Sequence, residues 1–165
     1  MNPVEFRAAG WFAAGCPKGR AVPSETIAIA SDHGAVELKE ALTGDLQRRG
    51  FSVLDLGTDG PDSVDYPDFA DALATAIREG RAARGVLLCG SGIGMSIAAN
   101  RHREIRAALV HDHLAARLAR QHNDANVLVM AGRSMAMAVA KDCLAAFLDT
   151  EFQGGRHARR VAKMS

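Results

Sequence analysis

Gly85-Val86-Leu87-Leu88-Cys89, then Gly90-Ser91-Gly92-Ile93-Gly94, then Met95-Ser96-Ile97-Ala98-Ala99-Asn100 is the stretch that decides the fold. An apolar run of strand length meets a glycine-rich turn and then a segment of helical composition. Open α/β sheets bind ligands at such junctions, outside the carboxyl ends of their strands. The glycines let backbone N–H groups turn toward one point and the helix dipole adds positive character, so an oxyanion, phosphate or thiolate would be stabilised there. The same residues also suit a tight turn around a buried cysteine, and short glycine patterns recur by chance. This stretch alone leaves both readings open.

Outward from it, short aliphatic runs alternate with longer segments of helical period, the pattern of βαβ units. Strands are expected at Thr26–Ser31, Phe51–Asp55, Gly85–Cys89, Arg106–Val110 and Val127–Ala131. Helices are expected at about Ala35–Arg49, Pro67–Glu79, Gly94–Arg101, Asp112–His122 and Ser134–Leu148. In the first, Val36, Leu38, Ala41, Leu42 and Leu46 share one side and Gly50 ends the helix. Pro67 suits a first helical position, and Asp112 and Ser134 suit caps. Right-handed crossovers then give a three-layer α/β/α, doubly wound, Rossmann-like sheet of five parallel strands.

The chain has 165 residues, enough for one domain with a substantial core. Its net charge of +1, with both signs interspersed, offers no broad field for nucleic acid or an anionic membrane, while leaving room for a small basic pocket. Cys16, Cys89 and Cys143 are odd in number and form no C-x-x-C pair, which argues against a disulfide framework or structural zinc and for a reducing cytoplasm. Residues 1–25 read as a disordered or loosely packed extension: Ala8 to Ala14 is apolar but too short to span a membrane, and Lys18 to Pro23 reads as a linker. Residues 26–165 form the expected single domain, with a C-terminal arm.

Ionisable groups collect at the expected carboxyl ends: Ser31-Asp32-His33, Cys89 to Gly94, and His111-Asp112-His113. Asp32 serves equally well as a helix cap and His33 as a solvent-facing loop residue. His111-x-His113 lacks a third ligand at a recognisable spacing, so no metal is assigned. Arg120-Gln121-His122-Asn123-Asp124-Ala125-Asn126 reads as a helix end with His122 on the dipole, followed by a turn. Arg156 and Arg160 share a face if their segment is helical, an arrangement suited to phosphate and equally to an idle basic tail.

Taken in order, Ser31-Asp32-His33-Gly34, Asp65-Tyr66-Pro67, Cys89 to Gly94 with Ile97-Ala98-Ala99-Asn100, Arg120 to Asn126, Gly132-Arg133 and Gly154-Gly155-Arg156-His157 resemble one family. It is that of the type B ribose-5-phosphate and galactose-6-phosphate isomerases, and the resemblance covers about Thr26 to Val161. It implies a cofactor-free aldose–ketose isomerase working through an enediolate, with ribose 5-phosphate favoured over four- and six-carbon sugar phosphates. By that resemblance Cys89 is the base, and Gly90, Gly92 and Gly94 with Ser91 hold the enediolate oxygens. Where part of the family carries a glutamate base this chain has Met95, which cannot take a proton. His122 would open the sugar ring, Asp32 and Asn123 would contact hydroxyls, and Tyr66 would shape the pocket. His33, Arg133, Arg156 and Arg160 would bind phosphate. The family's site lies between two subunits, which implies a homodimer, with pairing into a tetramer left open.

Two other classes compete. A phosphate- or nucleotide-binding module would use the glycine turn without needing both Cys89 and His122. A cysteine hydrolase would pair a thiolate with an orienting histidine and be trapped by acyl substrates.

Overall fold

The structure, a computed structural model, describes residues 25–164. The extension expected before Thr26 therefore lies outside the described residues, as does Cys16. Glu25 pairs with Arg84 through contacts of 2.8 and 2.6 Å, fastening the start of the first strand to the third.

Five parallel strands, β1 (Thr26–Ser31), β2 (Ser52–Asp55), β3 (Arg84–Cys89), β4 (Ala107–Leu109) and β5 (Val127–Ala131), stand in the order β2-β1-β3-β5-β4. Among the described residues six α-helices accompany them: α1 (Val36–Arg48), α2 (Tyr66–Arg78), α3 (Ile93–Ala99), α4 (His113–Asn123), α5 (Met137–Asp149) and α6 (Arg156–Val161). On one face, Leu38, Leu42 and Leu46 of α1 join Cys143, Leu144 and Phe147 of α5 over Ile27, Ile29, Val86 and Leu128. On the other, Ala70, Leu73 and Ala74 of α2 join Met95 and Ala99 of α3 over Ala28, Leu87 and Val129. Alternate residues of each central strand thus enter opposite cores, as expected of a sheet covered on both sides. The three leucines of α1 are at most 4 % exposed, and burying each contributes about 1.5–3 kcal/mol.

Several predicted ends move by one to three residues. A 3-10 turn, His33–Ala35, precedes α1, and the Asp32 side chain accepts from Gly34 N–H at 2.8 Å. Asp112 caps α4 through Ala115 N–H at 2.8 Å, and Gly50 ends α1 at φ 88°. Pro67 takes the second position of α2, after Tyr66. The fourth strand is the short Ala107–Leu109, tied to α3 by Asn100, whose side chain bonds both Ala107 N and Ala107 O at 2.8 Å.

Ser134 does not cap the fifth helix. That helix starts at Met137 after Ala136, because the chain leaving β5 remains engaged with the neighbouring strand end. Gly132 N–H donates to Cys89 O at 2.8 Å and Arg133 N–H to Gly90 O at 3.1 Å.

Candidate active site

In the order β2-β1-β3 the winding of strands across the sheet switches sides between β1 and β3, and a crevice opens where neighbouring strands send their connections to opposite faces. Asp32 leaves the end of β1 and its N–H donates to Leu88 O of β3 at 3.1 Å, so the two carboxyl ends are locked side by side. A cleft of about 630 Å³ lies here, lined by Asp32, Tyr66, Cys89, Gly90, Ser91, Ile93, Gly94, Ile97 and Arg133. Seven residues singled out in the sequence therefore converge on one crevice.

Cys89 is 3 % exposed, and its sulfur accepts the Gly92 N–H at 3.1 Å. Gly92 sits at φ 77°, a left-handed conformation that admits glycine readily, and this aims its amide back at the sulfur. Met95 is fully buried in the core and contributes no group to the cleft. Gly94 is required by a close approach: a Cβ there would overlap the Tyr66 ring and lie 2.7 Å from its hydroxyl. Tyr66, 39 % exposed, thus forms a wall resting directly on the turn. Arg133 reaches the same place because its backbone is bonded to Gly90. A Cβ on Gly34 would lie 3.1 Å from Asp32 Oδ1 and 3.4 Å from Arg133 Nε, so carboxylate and guanidinium flank that glycine. One oxygen of Asp32 caps the turn, which makes the cap and binding readings compatible.

His33, next in sequence to Asp32, lines a separate cavity of about 510 Å³ with Glu37, Asp59, Gly60 and Pro61. Its Nδ1 accepts the Val64 N–H at 3.3 Å.

His122, Asn123, Arg156 and Arg160 do not line the Cys89 cleft. Helix α4 runs back from the end of β4 toward the start of β5, so His122 and Asn123 stand at the amino edge of the sheet. Cys89 stands at its carboxyl edge, about 15–20 Å away along six strand residues. Much of the Arg120–Asn126 cluster is structural. Arg120 and Arg106 both hold the Asp124 carboxylate, at 2.8 and 3.0 Å, and Asn126 accepts from Arg106 N–H at 2.8 Å. The His122 ring instead lies flat on His157, with centroids 4.3 Å apart and planes within 3°. His157 is 8 % exposed, and burial, with the positive charge of His122, Arg156 and Arg160, pushes it below the ordinary 6.5. Helix α6, on which the pairing of Arg156 with Arg160 depends, does form, and it leaves both arginines exposed while His157 is buried.

His111 and His113 are exposed. Among the described residues no group of three or more His, Cys, Asp or Glu could hold a metal ion, and no helix is long and apolar enough to cross a membrane. Sequence reasoning missed His157 as the partner of His122 and Lys39 as a buried charge. No spacing rule pairs the two histidines, and helical periodicity gives no sign of carboxylates arriving from another loop.

The family profile described as Ribose/Galactose Isomerase matches residues 27–164. The chain belongs to that family. It is 41 % identical to ribose-5-phosphate isomerase B of Escherichia coli, over 82 % of this chain and 91 % of that one. It is 44 % identical to D-erythrulose-4-phosphate isomerase of Pectobacterium atrosepticum, over 84 % and 92 %. The crystal structure of a ribose 5-phosphate isomerase from Thermotoga maritima superposes with a TM-score of 0.83 at 51 % identity, covering 85 % of this chain and 97 % of that one. The three-layer fold and the sugar-phosphate isomerase family expected from the sequence are therefore both met.

Proposed function

We propose that the protein interconverts ribose 5-phosphate and ribulose 5-phosphate, and that Cys89 is the base. A carbon acid beside a carbonyl needs a positioned base and fixed donors for the developing oxyanion. The Cys89 thiolate takes the C2 proton of the open aldose, and the electron pair moves to form an enediolate whose charge rests on the carbonyl oxygen. The amides of the Gly90 to Gly94 turn and Ser91 hold the two oxygens, the C2 hydroxyl proton passes to the C1 oxygen, and return of the abstracted proton from Cys89 to C1 completes the ketose. Asp32 holds a sugar hydroxyl and Tyr66 closes the side of the cleft. His33 and Arg133 take the phosphate, which supplies binding energy remote from the reacting carbons.

His122 opens the ring, with Asn123, Arg156 and Arg160 beside it, and a second copy of the chain supplies these four. Their placement at the opposite sheet edge from Cys89 supports this. So do Ile93 and Ile97, 56 % and 63 % exposed on the lip of the cleft, where a homodimer would cover them. Residues 26–165 act as one domain, with α6 as the arm that carries the arginines. The free thiols suit the cytoplasm.

The observation that carries the reading is the Cys89 thiol beside an amide-rich turn, at the switch-point crevice shared by Asp32 and Arg133, in a chain of this family. Turnover on four-, five- and six-carbon aldose and ketose phosphates tests it. Preference for ribose 5-phosphate is expected. Preference for a tetrulose phosphate, which the 44 % identity to the erythrulose-4-phosphate enzyme favours as the second reading, keeps the chemistry and changes the substrate. Phosphate binding without turnover would replace it with a binding module.

A further inference from the structure

Lys39, on α1, is 1 % exposed and heads the large side chains that are fully buried. Its ammonium lies 2.7 Å from both carboxylate oxygens of Asp55 and 2.7 Å from Asp59 Oδ1. An ammonium has three donors, and here each meets an anionic oxygen. Burial pulls its pKa down, but the hydrogen bonds and charges of Asp55 and Asp59 outweigh this and raise it above the ordinary 10.5. Lys39 therefore stays charged at neutral pH.

What the ammonium holds is the segment leaving β2. Asp55 is the last residue of that strand and also accepts from Gly57 N–H at 2.9 Å. Asp59 stands four residues on, and its side chain is 85 % exposed. An ion pair with so exposed a partner contributes little to stability, but it pins the segment. Between the two anchors, Gly57 O accepts from Ser31 N–H at 2.7 Å and Thr58 N–H donates to Ser31 O at 2.8 Å, immediately before Asp32. The chain then lines the His33 cavity with Asp59, Gly60 and Pro61, delivers Val64 N–H to His33 Nδ1, and enters α2 at Tyr66.

A neutral imidazole has one donor and one acceptor nitrogen. An N–H aimed at Nδ1 assigns the proton to Nε2, leaving that N–H to meet an anion. We infer that Lys39 is a positioning residue for the anion-binding half of the site, clamping Asp55 and Asp59 so that Val64 sets the ring and tautomer of His33. The functional consequence rests on the reading above that His33 meets the substrate phosphate; the tautomer itself does not.

The test has two arms on the full chain. In the first, ¹⁵N-histidine-labelled protein without substrate is read by two-bond ¹⁵N–¹H correlation. Wild-type His33 is expected as the Nε2–H form, and Lys39→Met and Asp59→Asn are expected to give a mixture. An unchanged Nε2–H signature in both variants overturns the inference. In the second, Lys39→Met should raise KM for ribose 5-phosphate about five- to tenfold with kcat within about twofold, and in a His33→Ala background should add less than about twofold. Equal penalties in both backgrounds would make Lys39 a fold-stabilising residue only and overturn the inference. Should Lys39→Met not fold, Asp59→Asn, at an exposed side chain, carries both arms. If His33→Ala leaves KM unchanged, the phosphate role of His33 falls, and the tautomer arm alone decides for or against Lys39.

Discussion

At the carboxyl end of β3 the cleft is built on main chain: Gly92 N–H on Cys89, Gly90 O on Arg133 N–H, and Tyr66 against the bare Cα of Gly94. At the amino end, where α4 stops, the second group of candidate residues is built on side chains: the His122–His157 stack, with Arg156 and Arg160 exposed around it. Backbone donors are fixed by the sheet and lose nothing when charge develops, which suits an enediolate. Stacked imidazoles and long guanidiniums keep freedom, which suits proton exchange and capture of a phosphate. The difference teaches that the residues singled out for the site form two groups of different construction, at opposite ends of the sheet.

The largest effect should come from dividing them. Cys89→Ala should lower kcat at least about 10³-fold, within the range for loss of a general base, and His122→Ala should be most harmful for cyclic substrate. Co-expressing these two variants should restore about a quarter of wild-type activity. Half of randomly paired dimers are mixed, and each mixed dimer holds one intact site. Steady-state turnover of the mixture reads this, and no recovery would mean that both residues serve one chain's site.

Next, Gly94→Ala forces a methyl into the Tyr66 ring. We expect kcat/KM to fall about 10- to 100-fold, with a stability loss of about 1–3 kcal/mol by urea denaturation. Removing the ring as well, in Gly94→Ala/Tyr66→Ala, should recover the stability but not the activity. Recovery of neither would mean that Tyr66 is not the obstacle.

A smaller effect is expected at the side-chain end. His157→Ala should slow turnover of cyclic substrate about three- to tenfold, whereas His157→Phe, which preserves a flat ring under His122, should stay within about twofold of wild type. The pH dependence has a definite sign. Because folded His157 sits below its ordinary 6.5, the unfolded chain binds the extra proton. The stability this residue contributes is therefore present above about 6.5 and is lost as pH falls through the folded pKa. The melting temperature should drop between about pH 7.5 and about pH 5.5, and by less in His157→Phe. An equal drop in both would assign the acid sensitivity to other groups.

The least change is expected at the other described thiol. Burial, then Asp112 and Asp142, pushes Cys143 up to about 11, so a maleimide at neutral pH should leave it unmodified in the folded protein. Peptide mapping showing Cys143 labelled as fast as an unfolded control would contradict its burial.

Legibility followed the range of the interactions. The strand-turn-helix unit at Cys89, the Asp112 cap and the Gly50 stop depend on neighbours within a few residues, and all were readable. Ser134 was misread because the amides just before it, at Gly132 and Arg133, bond to the end of β3 some forty residues earlier. Lys39 sits among the leucines of α1 but is satisfied by carboxylates 16 and 20 residues away. The pairing of His122 with His157 depends on α6 docking onto α4, which no local period encodes.

By itself the sequence determined the alternation of strands and helices, the family, and the chemistry-bearing residue types, since each follows from periodicity, turn stereochemistry or an ordered series of motifs. The tertiary structure decided the order β2-β1-β3-β5-β4, and with it the crevice between β1 and β3. It also separated Cys89 from His122 across the length of the sheet. The physical reason is that strand order and helix direction fix where a strand end or a helix end lies in space. A one-dimensional reading sees only that each end carries polar residues.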